Sequence, residues 1–274
     1  MTSSRTIDGR TVCVTGASSG IGQAIAEHLG GLGAHVFLMG RTTEPMEESA
    51  RRITDAGGKA DIATFDITDS DALQRWIQGA ADTTGRLDVM VNNAGFGDVG
   101  SSIIDGDPEM WKGMLDVNVL ALAVGCQAAI RAMRATGSEG NLINISSIAA
   151  LRRDSGVYGA TKFAVNCINS TLRTELENDP IRMTAILPGV FATNFSRHMD
   201  PALIEGMAAM AGIEDVEFDD QGRLSQDQID HLQTAMSTTM GDVDHIAQAV
   251  EYVITQPIGL NIEQLVIRPQ KSLF

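Results

Sequence analysis

From residue 11 to residue 267, short apolar runs alternate with segments that place apolar residues every three or four positions. That alternation restricts the chain more than any other feature. Thr11–Thr15 (TVCVT), His35–Met39, Ala60–Phe65, Leu87–Val91, Leu142–Ile145, Ile181–Leu187 and Gln264–Ile267 read as strands. The segments between them read as helices: Ile21–Leu32, with Ile21, Ile25, Leu29 and Leu32 on one stripe, then Glu44–Ala56, Ser70–Thr83, Gly156–Asn178 and Val243–Thr255. Asp107 and Pro108 form an N-cap and first-turn pair that opens a long helix to about Met133. Strands that are apolar almost throughout, each followed by a helix, imply an α/β fold: a doubly wound parallel sheet with helices on both faces. No linker, repeat or low-complexity tract interrupts the pattern, so residues 1–274 are expected to form a single domain.

The rhythm breaks once. Between Pro188 and Gly241 no convincing strand appears, and the stretch is rich in methionine (Met199, Met207, Met210, Met236, Met240) and in acid (Glu214, Asp215, Glu217, Asp219, Asp220). An insertion of about 190–241 that follows a strand's carboxyl end lies over the crevice where open α/β sheets bind ligands. Adaptable Met side chains suit the apolar wall of such a helical lid. They serve equally well to pack a small subdomain or a subunit contact.

Composition narrows the partners. The formal charge of −15 argues against nucleic acid and anionic membrane surfaces, which select clustered Lys and Arg. No run of about 18 apolar residues is found, and the polar start MTSSRTIDGR lacks the apolar segment of a secretory signal. Cys13, Cys126 and Cys167 are far apart in apolar segments and read as buried thiols in a reducing, cytoplasmic compartment. The five histidines share no ligand spacing with one another or with the cysteines, so no metal site is expected.

Two stretches carry chemistry. Thr15–Gly22 (TGASSGIG) joins the first strand to the first helix. Gly16, Gly20 and Gly22 allow a tight turn there, ahead of a helix N-terminus that suits a pyrophosphate. After the second strand, where a reader of the ribose 2′-hydroxyl would be acidic, stand Gly40 and Arg41. An arginine there can pair with a 2′-phosphate, and no carboxylate is seen to oppose it, which favours NADP(H) while leaving NAD(H) possible. Asp66, past the third strand, is placed either for the adenine edge or as a cap for the next helix. The second stretch, Leu142–Val165, is a strand, a polar break holding Ser146 and Ser147, and a helix with Tyr158 and Lys162 on one face. A nearby ammonium favours phenolate and brings a phenol of ordinary pKa about 10 toward the working pH for acid–base chemistry.

Together these stretches resemble the short-chain dehydrogenase/reductase family in its single-domain branch, over about residues 7–195 and 242–269. Thr15-Gly16-x-x-x-Gly20-Ile21-Gly22 is similar to its cofactor loop, and Asn92-Asn93-Ala94-Gly95 to its marker after the fourth strand. The resemblance implies a Rossmann-like sheet of about seven strands in the order 3-2-1-4-5-6-7. It also implies catalysis by Asn118, Ser147, Tyr158 and Lys162, with Ser146 open because fewer residues than usual separate Ser147 from Tyr158. It further implies a cofactor bound by Gly16, Ser18, Ser19, Gly20, Ile21, Gly22, Arg41, Asp66, Ile67, Asn93, Ala94, Gly95, Tyr158, Lys162, Pro188, Gly189, Val190 and Thr193, with Asn92 beside it. Asn118 would act through its backbone carbonyl and a water near Lys162; as a helical asparagine it could instead mark a local kink. The implied reaction is hydride transfer between nicotinamide and a ketone or secondary alcohol (an alcohol dehydrogenase or ketone reductase acting on CH–OH with NAD(P)). Phe96, Phe191 and Phe195, with Ser147, would contact a bulky hydrophobic substrate. A non-catalytic dinucleotide-binding regulator, or an epimerase or dehydratase, fits the intact Ser, Tyr and Lys and the chain length less well. The ending IEQLVIRPQKSLF lacks the Asp-Gly-Gly of many tetrameric members, which leaves homodimer and homotetramer both open.

Overall fold

The computed structural model describes residues 6–98, 102–191, 193, 224–236 and 239–271, with a few positions between 205 and 217. Seven strands form one parallel sheet: β1 (Thr11–Thr15), β2 (His35–Gly40), β3 (Lys59–Thr64), β4 (Val89–Asn92), β5 (Gly140–Ile145), β6 (Ile181–Pro188) and β7 (Gln264–Ile267). Their order is β3-β2-β1-β4-β5-β6-β7, as the resemblance implies. The order reverses at β1, which pairs with β2 on one side and β4 on the other, and a crevice opens past their carboxyl ends.

Because side chains alternate along a strand, the inner strands feed two cores, while the edge strands β3 and β7 are largely exposed. Val12, Val14, Val36, Leu38, Val89 and Val91 point to a layer built from α1 (Gly20–Gly31), α2 (Thr43–Asp55) and α8 (Val243–Thr255). Cys13, Phe37, Met39, Met90 and Leu142 point to the opposite layer, built from α3 (Ser70–Thr84), α5 (Leu122–Thr136) and α6 (Gly156–Glu175). Fully burying each such side chain stabilises the fold by about 1.5–3 kcal/mol relative to exposure. The centre of the sheet is thus covered on both sides.

Several elements depart from expectation. The long helix is three pieces: α4 (Pro108–Leu115), a π turn (Asp116–Ala121) and α5. Asp107 does cap it, accepting from Glu109 N at 3.0 Å with Pro108 in the first turn. By length and composition the run Pro108–Thr136 reaches what a membrane span requires, against the sequence reading. Half of its most apolar window is buried within the fold, as in a core helix. Cys167 is exposed on α6, whereas Cys13 and Cys126 are buried. Helix α7 (Gln226–Ala235) lies within the predicted insertion, and Met236 and Met240 beyond it are buried, as the packing alternative requires. Phe195, Met199, Met207, Met210, Glu214, Asp215, Asp219 and Asp220 lie outside the described residues, so a lid is not traced.

What holds the crevice in shape is Thr15, at the end of β1. Its buried hydroxyl donates to Val91 O (3.3 Å) and accepts from Asn93 N (3.0 Å) and Ala94 N (3.1 Å), which ties the turn after β1 to the turn after β4. Thr15→Val keeps the shape but strands two amides, so it should cost about 1–3 kcal/mol in urea unfolding. Thr15→Ser should cost far less, and equal stability of all three proteins would refute this bracing.

Candidate active site

The glycine turn is built as its sequence implies. Gly16 (φ +66°) and Gly20 (φ +57°) occupy the left-handed region. A Cβ on Gly16 would lie 2.9 Å from Ala94 Cα, and one on Gly22 would overlap the Gly16 carbonyl. Helix α1 therefore starts hard against the β1 and β4 turns. Asn93 fastens them, its side-chain amide donating to Thr15 O (3.0 Å) and Gly16 O (3.3 Å). Ser19, at the N-cap of α1, makes no side-chain cap bond, and the first turn holds no acid. By contrast α3, α4 and α8 are capped by Asp69, Asp107 and Asp242. An uncapped, acid-free helix N-terminus behind a close-packed glycine turn fits the pyrophosphate of a dinucleotide. Thr193, after β6, comes to this turn, since a Cβ on Gly20 would lie 3.1 Å from its Cγ2. Gly189 and Val190 anchor the same segment: Gly189 N donates to Ile267 O, and Val190 O accepts from Gly241 N.

Arg41 is exposed where β2 ends. Asp66 is close enough for the Arg41 charge to be felt, so a carboxylate does stand near it. The carboxyl of Asp66 is held below its usual range first by Thr68, through its amide (2.9 Å) and hydroxyl (2.7 Å), and to a lesser degree by Arg41. Asp66 does not cap α3; Asp69 does, accepting from Ala72 N. The Ile67 side chain turns into the core with Leu73 and Ile77, leaving only its main chain to face a ligand. Asn92, read as lining the cofactor, is buried and its amide donates to Asn144 Oδ1 and Cys126 Sγ.

The acid–base groups meet at the end of β5. Ser147 is hydrogen-bonded to the Tyr158 phenol, and its Oγ also accepts from Ala149 N (3.1 Å). Ser146 points away, donating to Asn166 Oδ1 (2.8 Å) and to Lys162 O (3.4 Å). The alternative left open by the spacing is thus resolved for contact with the phenol, in favour of Ser147. Tyr158 packs with Met114 and Ala149, against which Phe96, Met110, Trp111 and Val157 also rest. Gly97 presses on its ring; a Cβ there would lie 2.7 Å from Cε2. The apolar surroundings push the phenol up to about 12, the Ser147 bond pulling back, instead of an ammonium bringing it toward neutrality. Lys162 donates to Ile145 O at 3.0 Å, and its Nζ lies 5.9 Å from the Tyr158 ring centroid. Burial lowers it to about 8.

Asn118 sits in the π turn, where such irregularities frequently mark functional sites. Its amide donates to Phe96 O (2.8 Å) and Thr161 Oγ1 (3.1 Å), and its Oδ1 accepts from Phe96 N (3.0 Å). These bonds engage the Asn118 side chain, whereas the expectation named its backbone carbonyl. A Cβ on Gly95 would lie 3.0 Å from Asn118 Oδ1 and 3.6 Å from Lys162 Nζ, so Gly95 lies beside this group. Phe191 does not: its ring stands against Gly241 and packs on the α1–α8 core. The bracing role of Thr15, and Gly97 and Thr161 altogether, are not anticipated by the motifs. The sequence offered only small signals for them: a threonine closing a strand, a second glycine after Asn-Asn-Ala-Gly, and a hydroxyl three residues past Tyr158.

Comparison with known proteins agrees with this geometry. The short chain dehydrogenase family model matches residues 10–203, and the chain belongs to that family. An uncharacterized oxidoreductase of Staphylococcus aureus is 32% identical over 258 residues, which cover 93% of this chain and 95% of that one. A metagenomic short-chain oxidoreductase solved in complex with NADP is 29% identical, with a TM-score of 0.73 over 97% of this chain and 99% of that one. L-Sorbose reductase from Gluconobacter frateurii, complexed with NADPH and L-sorbose, is 25% identical, with a TM-score of 0.77 over 98% and 99%. The protein is an oxidoreductase of this type.

The two serines separate by experiment. Ser147→Ala should lower kcat about 10²-fold, the scale of losing one donor to a developing oxyanion, with Tm nearly unchanged. Ser146→Ala should lower Tm and leave kcat within a few-fold. The opposite pattern would transfer the role to Ser146.

Proposed function

We propose that the protein is an NADP(H)-dependent reductase of bulky, hydrophobic ketones, and in the reverse direction a secondary alcohol dehydrogenase. One observation carries the reading: a buried phenol, hydrogen-bonded to Ser147 and one helical turn from the Lys162 ammonium, packs on the 93–97 segment, whose start packs on a glycine turn fit for a dinucleotide. A nicotinamide bound there supplies or accepts the hydride. Tyr158 gives its proton to the carbonyl oxygen, and for that it must start protonated, which burial favours. Ser147 donates to the same oxygen as charge gathers on it. Lys162, still charged at neutral pH, stabilises the phenolate left behind. Proton transfer of this kind contributes about 10²–10⁴-fold.

Arg41 supports NADP(H), because its exposed guanidinium suits a 2′-phosphate while Asp66 is already engaged by Thr68. The NADP and NADPH complexes of the structural relatives agree with that preference. Phe96, Met110, Trp111 and Met114 around Tyr158 support an apolar substrate over a sugar, although a sugar is what the Gluconobacter relative binds. Exposed Leu115, Leu120 and Phe163, on neighbouring stretches of α4, the π turn and α6, support association with a second copy, as dimer or tetramer. We place the enzyme in the cytoplasm.

A panel of aromatic and alicyclic ketones with L-sorbose, run with NADPH and NADH, tests the substrate class. Apolar ketones should be reduced fastest, and a preference for L-sorbose would overturn the apolar reading. Tyr158→Phe should lose more than about 95% of turnover while binding NADPH normally; residual activity above that remainder would refute its role as acid. Arg41→Asp should weaken NADPH far more than NADH, whereas equal loss for both would remove Arg41 from phosphate recognition.

A further inference from the structure

Thr161 is fully buried on α6, between Tyr158 and Lys162, and no catalytic motif needs its hydroxyl. That hydroxyl is used twice. It donates to Tyr158 O at 2.7 Å and accepts from Asn118 Nδ2 at 3.1 Å, across the gap between α6 and the π turn. Threonine hydroxyls that bond back to their own helix are common here, as at Thr54, Thr83 and Thr171, but those lie on exposed faces. Thr161 differs in joining two elements inside the fold.

The contacts on either side form a closed circuit. Gly97 lies against the Tyr158 ring, and its neighbour Phe96 is held through both main-chain groups by Asn118. Asn118 is held by Thr161, and Thr161 holds the main chain of Tyr158. The phenol is therefore clamped from its ring side by the loop after β4 and from its backbone side by α6. The Thr161 hydroxyl is a hydrogen-bonded link between the two clamps. Opening the circuit at Thr161 removes the hydrogen bond that couples α6 to the Asn118 brace and loosens the Tyr158 main chain relative to the 96–97 loop. A shift on the order of 1 Å from productive geometry can cost about 10²-fold in rate.

We propose that Thr161 is a positioning residue that sets the aim of the Tyr158 phenol by coupling α6 to the Asn118 brace. The inference rests on the reductase reading above for its kinetic consequence, but not for its structural one. Thr161→Val keeps the branched shape and removes the hydroxyl; Thr161→Ser keeps the hydroxyl. In the intact protein, Thr161→Val should lower kcat about 10–100-fold with KM for NADPH within about two-fold of wild type, and Thr161→Ser should restore kcat to within about three-fold. A Thr161→Val enzyme with wild-type kcat, or a Thr161→Ser enzyme as impaired as the valine variant, would overturn the proposal.

The chain has two tyrosines, so ¹³Cζ-tyrosine NMR of the free protein gives a second readout. The Tyr158 resonance should move in Thr161→Val and return in Thr161→Ser, while that of exposed Tyr252 stays fixed. An unmoved Tyr158 resonance overturns the proposal whether or not a substrate is known. A wild-type protein that reduces no ketone in the panel overturns the functional reading alone, and the spectra still decide the role of Thr161.

Discussion

The pairing of the Asn118 carboxamide with both main-chain groups of Phe96 is the interaction on which the site depends. An asparagine inside a helix is mildly unfavourable, and a π turn breaks the regular ladder around it. Both costs are offset because the amide finds a partner for each of its ends in a buried place, where an unmade bond would cost about 1–3 kcal/mol. Through this pairing the helical run Pro108–Thr136 grips the loop that follows β4. Thr15 grips the start of the same loop from β1. The parallel sheet brings the strand ends together, and these few side-chain bonds turn that proximity into a fixed arrangement.

Burial then sets the electrostatics. The same apolar surroundings act on two groups of opposite type, raising the Tyr158 phenol and lowering the Lys162 ammonium, since each loses hydration of its charged form. At neutral pH the phenol keeps its proton and the lysine keeps most of its charge. A protonated phenol near a cation is the resting state that the proposed carbonyl reduction would require.

The fold was legible because its cause is written locally. Short, largely apolar runs such as TVCVT and LINI, each bounded by a turn and followed by a helical period, read as buried strands, and the seven strands appear within a residue or two of their expected positions. The glycine turn was legible for a similar reason, as its glycines fill places where a Cβ would meet main chain. What pattern could not reveal was direction. Whether Ser146 or Ser147 faces the phenol, that the Phe191 ring stands on Gly241, that Cys167 faces solvent, and that Asp69 and not Asp66 caps α3 depend on how elements settle against one another. The direction of the Tyr158 shift is not legible in the sequence, because helical spacing reports that a lysine is near, not how deeply the phenol is buried.

Titration of the Tyr158 phenol in the free protein tests the central claim most directly. In a Tyr252→Phe variant it is the sole tyrosine, and its ionisation can be followed by ultraviolet difference spectroscopy while circular dichroism reports that the fold is intact. Burial requires that tyrosinate appear only well above the ordinary phenol value of about 10. Full ionisation at or below that value, with the fold preserved, would show that the ammonium outweighs burial and would contradict the account.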